Sequence, residues 1–130
     1  MSEDDFIAAL QESQAGSKDL PGLDVLKDFC AAIKRFVGGP VDCEPIPSHT
    51  VNLGQEYKVI LTYYPAGYSL ALVRAYLNAE GRPHLDVYDG RGPQSCGDVA
   101  GLGTRLRDFL AAPGVADMVR RVRQHAEARR

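Results

Sequence analysis

The sequence predicts an α+β domain: a three-stranded antiparallel β-meander, with a candidate fourth strand, packed with two N-terminal and two C-terminal helices. Three observations carry that expectation. Apolar residues recur at helical spacing through Leu26, Phe29, Cys30, Ile33, Phe36 and Val37. The period changes to two over 57–64, where Tyr57, Val59, Leu61 and Tyr63 alternate with Lys58, Ile60, Thr62 and Tyr64. It returns to helical spacing after Asp98, with Val99, Leu102, Leu106, Phe109 and Leu110.

Each element has its own start and stop signals. Ser2 followed by Glu3, Asp4 and Asp5 reads as a helix start, since acids suit the positive end of the helix dipole. Phe6, Ile7 and Leu10 give that helix a short apolar stripe, and Gly16 is expected to end it. The second helix follows Pro21 and stops at Gly38-Gly39-Pro40. Residues 1–39 thus read as a helical hairpin and 40–56 as a Pro-rich connection, within which 51–53 is the candidate edge strand. The meander occupies 57–89, with turns at Pro65-Ala66-Gly67 and around Gly81. Asp98 or Ser95 then caps the third helix, and Pro113 starts the fourth, so 95–128 reads as a helix pair.

The strand register follows from side-chain pairing. Setting Val73 against Val87 places Arg74 opposite Asp86, Ala75 opposite Leu85 and Tyr76 opposite His84. Opposite-charge and aromatic pairs then share one face and aliphatic pairs the other, each pair contributing about 0.2–1 kcal/mol. In the first hairpin, Val59 against Val73 sets Leu61 against Ala71 and Lys58 against Arg74. The last is a like-charge pair that Asp86 is expected to relieve.

Composition places the chain among soluble single domains. It has 130 residues, 45% hydrophobic and 25% charged, which argues against disorder. No apolar run approaches the roughly 18 residues of a membrane span. The acidic "MSEDDF" does not resemble a secretory signal, so a cytoplasmic setting is expected. Net charge is −2, but residues 1–65 carry 5 basic and 10 acidic side chains, whereas 66–130 carry 10 basic and 7 acidic. Every basic residue of the second half is Arg, and such a dipolar chain is suited to self-association or to a charged partner.

Several constellations compete for a function. Cys30, Cys43 and Cys96 are odd in number and have no CxxC spacing, so neither a disulfide framework nor structural zinc is expected. The stretch 82–98 collects His84, Asp86, Tyr88, Asp89 and Cys96, the residue types of a small enzyme or ligand site at a strand-turn-helix junction. Turn and strand chemistry explains the same letters: Asp89-Gly90 is a turn pair, and His84 and Asp86 fall where a sheet's outer face needs polar groups. His49, His84, His125, Asp86 and Asp89 lack the spacing of a metal site, and no metal or cofactor is expected. The glycine-rich 90–103 matches no phosphate-binding motif. Arg120, Arg121 and Arg123 near the C-terminus are the candidate nucleic-acid contacts, against which stand Glu127 and the chain's overall acidity.

The outer sheet face is the most informative surface. Ile60, Tyr64, Leu72, Tyr76 and Tyr88, flanked by Lys58, Arg74, His84 and Asp86, are expected there. That set is too apolar for a bare solvent face and rich in the residue type that protein interfaces favour. The expectation is a non-catalytic module that binds a protein partner, or a second copy, through Ile60, Tyr64, Leu72, Arg74, Tyr76, His84, Asp86 and Tyr88. In size and layout alone, with no shared motif, the outline resembles small bacterial adaptor, immunity and secretion-chaperone proteins.

Overall fold

A computed structural model of the chain describes residues 2–18, 20–64 and 68–128, with side chains for 2–10, 20–64, 68–119, 121, 122 and 124. Among them are four helices and one five-stranded antiparallel sheet. The order is α1 (Glu3–Lys18), α2 (Leu23–Val37), β1 (Val41–Val51), β2 (Gly54–Tyr63), β3 (Tyr68–Leu77), β4 (His84–Asp86), β5 (Gln94–Ser95), α3 (Val99–Ala111) and α4 (Pro113–Ala128). The sheet runs β1-β2-β3-β4-β5, each strand beside its predecessor. The meander is therefore present, longer by a strand at either edge.

The helix ends follow local chemistry. Ser2 Oγ accepts from the Asp5 amide, and Asp5 Oδ2 accepts from the Ser2 amide, a reciprocal cap. Gly16 does not stop α1, which continues to Lys18. A single glycine costs a helix interior only about 1 kcal/mol, too little to break it. Asp98 caps α3 by accepting from the Gly101 amide at 2.7 Å. Pro113 occupies the first position of α4, where no amide proton is needed.

The segment expected to be a connection is instead the long edge strand β1. Pro45 and Pro47 pair with Val59 and Tyr57 at positions of the same parity. An edge strand accepts proline there because the missing N–H faces away from its neighbour. The ladder slips between Pro47 and Thr50, then closes through Asn52 and Leu53 into β2. Gly54 begins β2 at φ +125, and a Cβ there would run into the Leu77 carbonyl, so only glycine lets β2 and β3 meet at that end.

Helices α2, α3 and α4 cover one sheet face. Leu26 and Ile33 of α2, Leu102 and Leu106 of α3 and Val119 and Val122 of α4 share a core with Tyr57, Val59, Leu61, Val73, Ala75, Leu77 and Leu85. Each large side chain so enclosed contributes about 1.5–3 kcal/mol of transfer free energy. Lys34 ties α2 to β1 through Asp42 at 3.2 Å. Among the described side chains of α1, Phe6, Ile7 and Leu10 are exposed and take no part in that core.

The register agrees with expectation where it matters most and departs at one residue. Arg74 pairs with Asp86, Ala75 with Leu85 and Tyr76 with His84, and Val59 pairs with Val73. β4 ends at Asp86, so Val73 and Val87 are not a ladder pair. Beyond Val59 the ladder shifts: Ile60 meets Ala71 and Leu61 meets Leu70, leaving Leu72 as a bulged residue. The bulge corrects two expectations. Leu61 does not face Ala71, and Leu72 is not on the outer face but buried in the core. The turn 65–67 lies outside the described residues.

Leu72→Ala is accordingly expected to lower stability by about 2–4 kcal/mol in urea unfolding, as for other buried leucines. Ala71→Ser, at the exposed neighbour, should change it by less than about 0.5 kcal/mol. Similar small effects at both positions would return Leu72 to the solvent side.

Candidate functional site

The sheet face away from the core is built by the same register. Glu56 stands opposite Tyr76, Lys58 opposite Arg74, and Arg74 opposite Asp86. A cross-strand Lys–Arg pair is unfavourable by itself. Carboxylates on either side relieve it. Asp86 Oδ2 accepts from Arg74 Nε at 2.8 Å, and Glu56 lies 3.6 Å from Arg74 Nη1 and 3.9 Å from Lys58 Nζ. Two cations thus meet two carboxylates, and the group is neutral.

Both carboxylates are nearly withdrawn from water, Glu56 at 6% and Asp86 at 3% exposed, while the Arg74 side chain keeps 33%. An uncompensated carboxylate so placed would cost several kcal/mol, so Arg74 is required for the face to exist. Its guanidinium carbon lies 5.8 Å from the ring centres of both Tyr76 and Tyr88. Each such contact is worth about 0.5–1 kcal/mol at an exposed site and more where water is excluded.

Tyr88 is the described non-glycine residue with positive φ, at +59. For a bulky side chain this backbone costs on the order of 1–3 kcal/mol. Asp86 holds it: Oδ1 accepts from the Tyr88 amide at 2.8 Å while Oδ2 holds Arg74. One carboxylate therefore fixes both the cation and the ring that returns over it.

The charges follow from this packing. The Asp86 hydrogen bond raises Arg74 above its ordinary value, against the opposing effect of burial, so it stays cationic. Burial, then a hydrogen bond with Glu56, raises the Tyr76 phenol, and the Arg74 charge offsets only part of this. Burial likewise raises Tyr88, again opposed by Arg74.

Of the eight residues expected on this face, the structure brings Arg74, Tyr76, Asp86 and Tyr88 into one contacting cluster, with Glu56 as a member the sequence reading missed. The signal was available: in the register that pairs Lys58 with Arg74, Glu56 falls opposite Tyr76. Ile60 is half-buried beside Ala71 on the same face, and His84 neighbours Tyr76, its Nδ1 enclosed without a hydrogen-bond partner. Tyr64 lies exposed just past β2, and Leu72 belongs to the core.

The candidate enzyme constellation is not assembled. Cys96 packs against the core, while the His84 ring shares the outer face with Tyr76, so thiol and imidazole sit on opposite sides of the sheet. Burial raises the Cys96 thiol, an effect Arg105 only partly offsets, which disfavours the nucleophilic thiolate. A cavity of about 570 Å³ does open at the junction, between the β4–β5 turn and α3. Asp89, Arg91, Arg105 and Asp108 line it together with Leu85, Val87 and Phe109, whereas His84, Asp86, Tyr88 and Cys96 do not.

Among the described residues no three His, Cys, Asp or Glu are grouped to hold a metal ion, and no helix is long and apolar enough to cross a membrane. His49 lies exposed on β1, Asp89 in a surface turn. Arg121 is exposed on α4; the side chains of Arg120, Arg123 and His125 lie outside the described residues. Cys30 and Cys43 are neighbours across α2 and β1, and their mutual hydrogen bond, followed by burial, holds the Cys30 thiol well above its usual range.

The raised tyrosines set a sign for alkaline pH. Tyr76 keeps its proton more firmly folded than unfolded, so its contribution is complete below the ordinary value of 10 and is lost as pH rises through the folded value. Comparing urea midpoints at neutral and alkaline pH, Tyr76→Phe should lose less stability between them than the native chain. An equal or larger loss in the variant would contradict the buried, proton-retaining phenol.

No family model matches the chain, and no curated protein and no solved structure matches it either.

Proposed function

We propose that this chain is a non-catalytic protein-interaction module, of adaptor, immunity or accessory-subunit kind, that binds a protein partner through its tyrosine-bearing sheet face. The observation that carries this reading is that Arg74, 33% exposed, and Tyr88, 45% exposed, stack with a buried Tyr76 on the sheet face opposite α2, α3 and α4. Tyr and Arg dominate binding energy at protein interfaces when they are centred, rigid and partly desolvated. Here rigidity and partial desolvation precede any partner. Asp86 and Glu56 immobilise Arg74, and Asp86 fixes the Tyr88 backbone, so little side-chain entropy is left to lose on binding.

The surroundings support the same reading. Ile46 and Ile60 add apolar area beside Lys58 on β1 and β2, and Tyr88 is 45% exposed at the other end of the row. An apolar and aromatic centre with a charged margin is the ordinary anatomy of a non-obligate interface. The strain at Tyr88 points the same way, because a costly backbone persists where the side chain's position matters.

Tyr88→Asn separates binding from folding, since Asn tolerates the left-handed conformation that Tyr endures. In a pull-down from the native host followed by mass spectrometry, the native chain should retain a protein that Tyr88→Asn loses, with the urea midpoint of the variant unchanged or higher. Retention of the same protein by Tyr88→Asn and by Ile60→Asp would place the binding surface elsewhere.

A further inference from the structure

On the helix side of β1 lies a feature that the outer sheet face does not use. Lys27, Cys30, Ala31 and Lys34 fall on one side of α2 at helical spacing. With Cys43, Glu44 and Pro45 of the edge strand β1 they border a hollow of about 330 Å³. Lys34 reaches Asp42 at 3.2 Å and fixes how the two elements lie together. One turn before Lys34 on the helix is Cys30, and next to Asp42 on the strand is Cys43. Their thiols share a hydrogen bond.

Packing alone accounts for a buried cysteine, which behaves as a small hydrophobe. It does not account for two that meet beside a hollow bordered by two ammonium groups. Both cysteines belong to the apolar core, at 3% and 2% exposed. Such burial keeps out a bulky thiol or disulfide reagent, while the hollow has room for a molecule of a few atoms. β1 is hydrogen-bonded along one edge only, so the strand is free to make the last small step from thiol contact to bond. Cys96, just past β5, is not part of this hollow.

We propose that Cys30 and Cys43 are a redox pair, which a small peroxide oxidises to a disulfide joining α2 to β1 and a dithiol reductant reopens. Cys30 retains its proton, held by the hydrogen bond with Cys43 and by burial, so Cys43 attacks first. Cys43 Sγ breaks the peroxide O–O bond, displaces hydroxide and becomes a sulfenic acid. Cys30 Sγ then attacks that sulfur. The S–S bond forms, the S–O bond breaks, and the Cys30 proton leaves with the oxygen as water. In sum, two thiols give up two electrons and two protons, and the peroxide takes both to become two waters. Lys27 and Lys34 favour the departing hydroxide, with Glu44 opposing them. The pair lies on the helix side of the sheet, so the proposal does not depend on the Arg74 face or on its partner.

Peptide mapping without reduction, by mass spectrometry of the full chain, tests this directly. After the folded chain is treated with hydrogen peroxide, a linked peptide should join Cys30 to Cys43, in the native chain and in Cys96→Ser alike. The urea midpoint should rise on oxidation and return with dithiothreitol, because a cross-link restricts the unfolded chain. Either cysteine linked to Cys96 instead, separate sulfinic or sulfonic acids at the two positions, or two thiols still free would overturn the proposal. So would a link that forms only once urea has unfolded the chain.

Discussion

Arg74 is the residue on which the open face of the sheet depends. Glu56 and Asp86 are both nearly excluded from water on the sheet face opposite α2, α3 and α4, a placement that is tolerable only with a cation between them. Arg74 suits this better than Lys would, because its planar guanidinium addresses two carboxylates along different N–H directions and still offers its faces to aromatic rings. From that one side chain the rest of the cluster follows. Asp86 is held by Arg74, Tyr88 is held by Asp86, and the Tyr88 ring returns to cover Arg74. The loop closes on itself, which is why a three-residue strand such as β4 can be so well determined.

The two sheet faces are reconciled by a single extra residue. With Val73 inside, strict alternation through β3 would both expose Leu72 and turn Leu70 away from Leu61. The bulge at Leu72 changes the parity of β3 partway along, so Leu70, Leu72, Val73, Ala75 and Leu77 are all placed toward the core while Arg74 and Tyr76 stay opposite. Below the bulge, the polar cluster occupies the outer face; above it, Thr62, Ser69 and Ala71 are small and solvated. An aromatic, charged end and a plain end therefore share one sheet, and the division between them is set by backbone rather than by composition.

Much of this was legible in the residues. The helical spacing of α2 and α3, the Asp98 cap and the pairing of Arg74 with Asp86 all follow from local pattern. What escaped has physical reasons. β1 was hidden because proline argues against strand, and its tolerance depends on the strand lying at an edge, which no local window reveals. β5 has two residues, too few for any periodicity. The bulge leaves no signature in an apolar stretch such as "LALV", where either phase places aliphatic residues inside. Glu56 required pairing β2 and β3 beyond the hydrophobic core, and the nearness of Cys30 to Cys43 required knowing that β1 packs on α2. The polar letters of 82–98 divided between two faces, which is a property of the fold and not of their spacing.

The central claim is that Arg74 is already immobilised between two carboxylates and two rings before any partner arrives. Proton–nitrogen NMR of the free chain reads this directly at the Arg74 Nε–H, assigned by its loss in Arg74→Lys. A single side-chain resonance, protected from solvent exchange and moved by the ring currents of Tyr76 and Tyr88, is the predicted result. An Nε proton that exchanges as fast as that of free arginine, with no ring-current displacement, would show a mobile surface side chain and contradict the account.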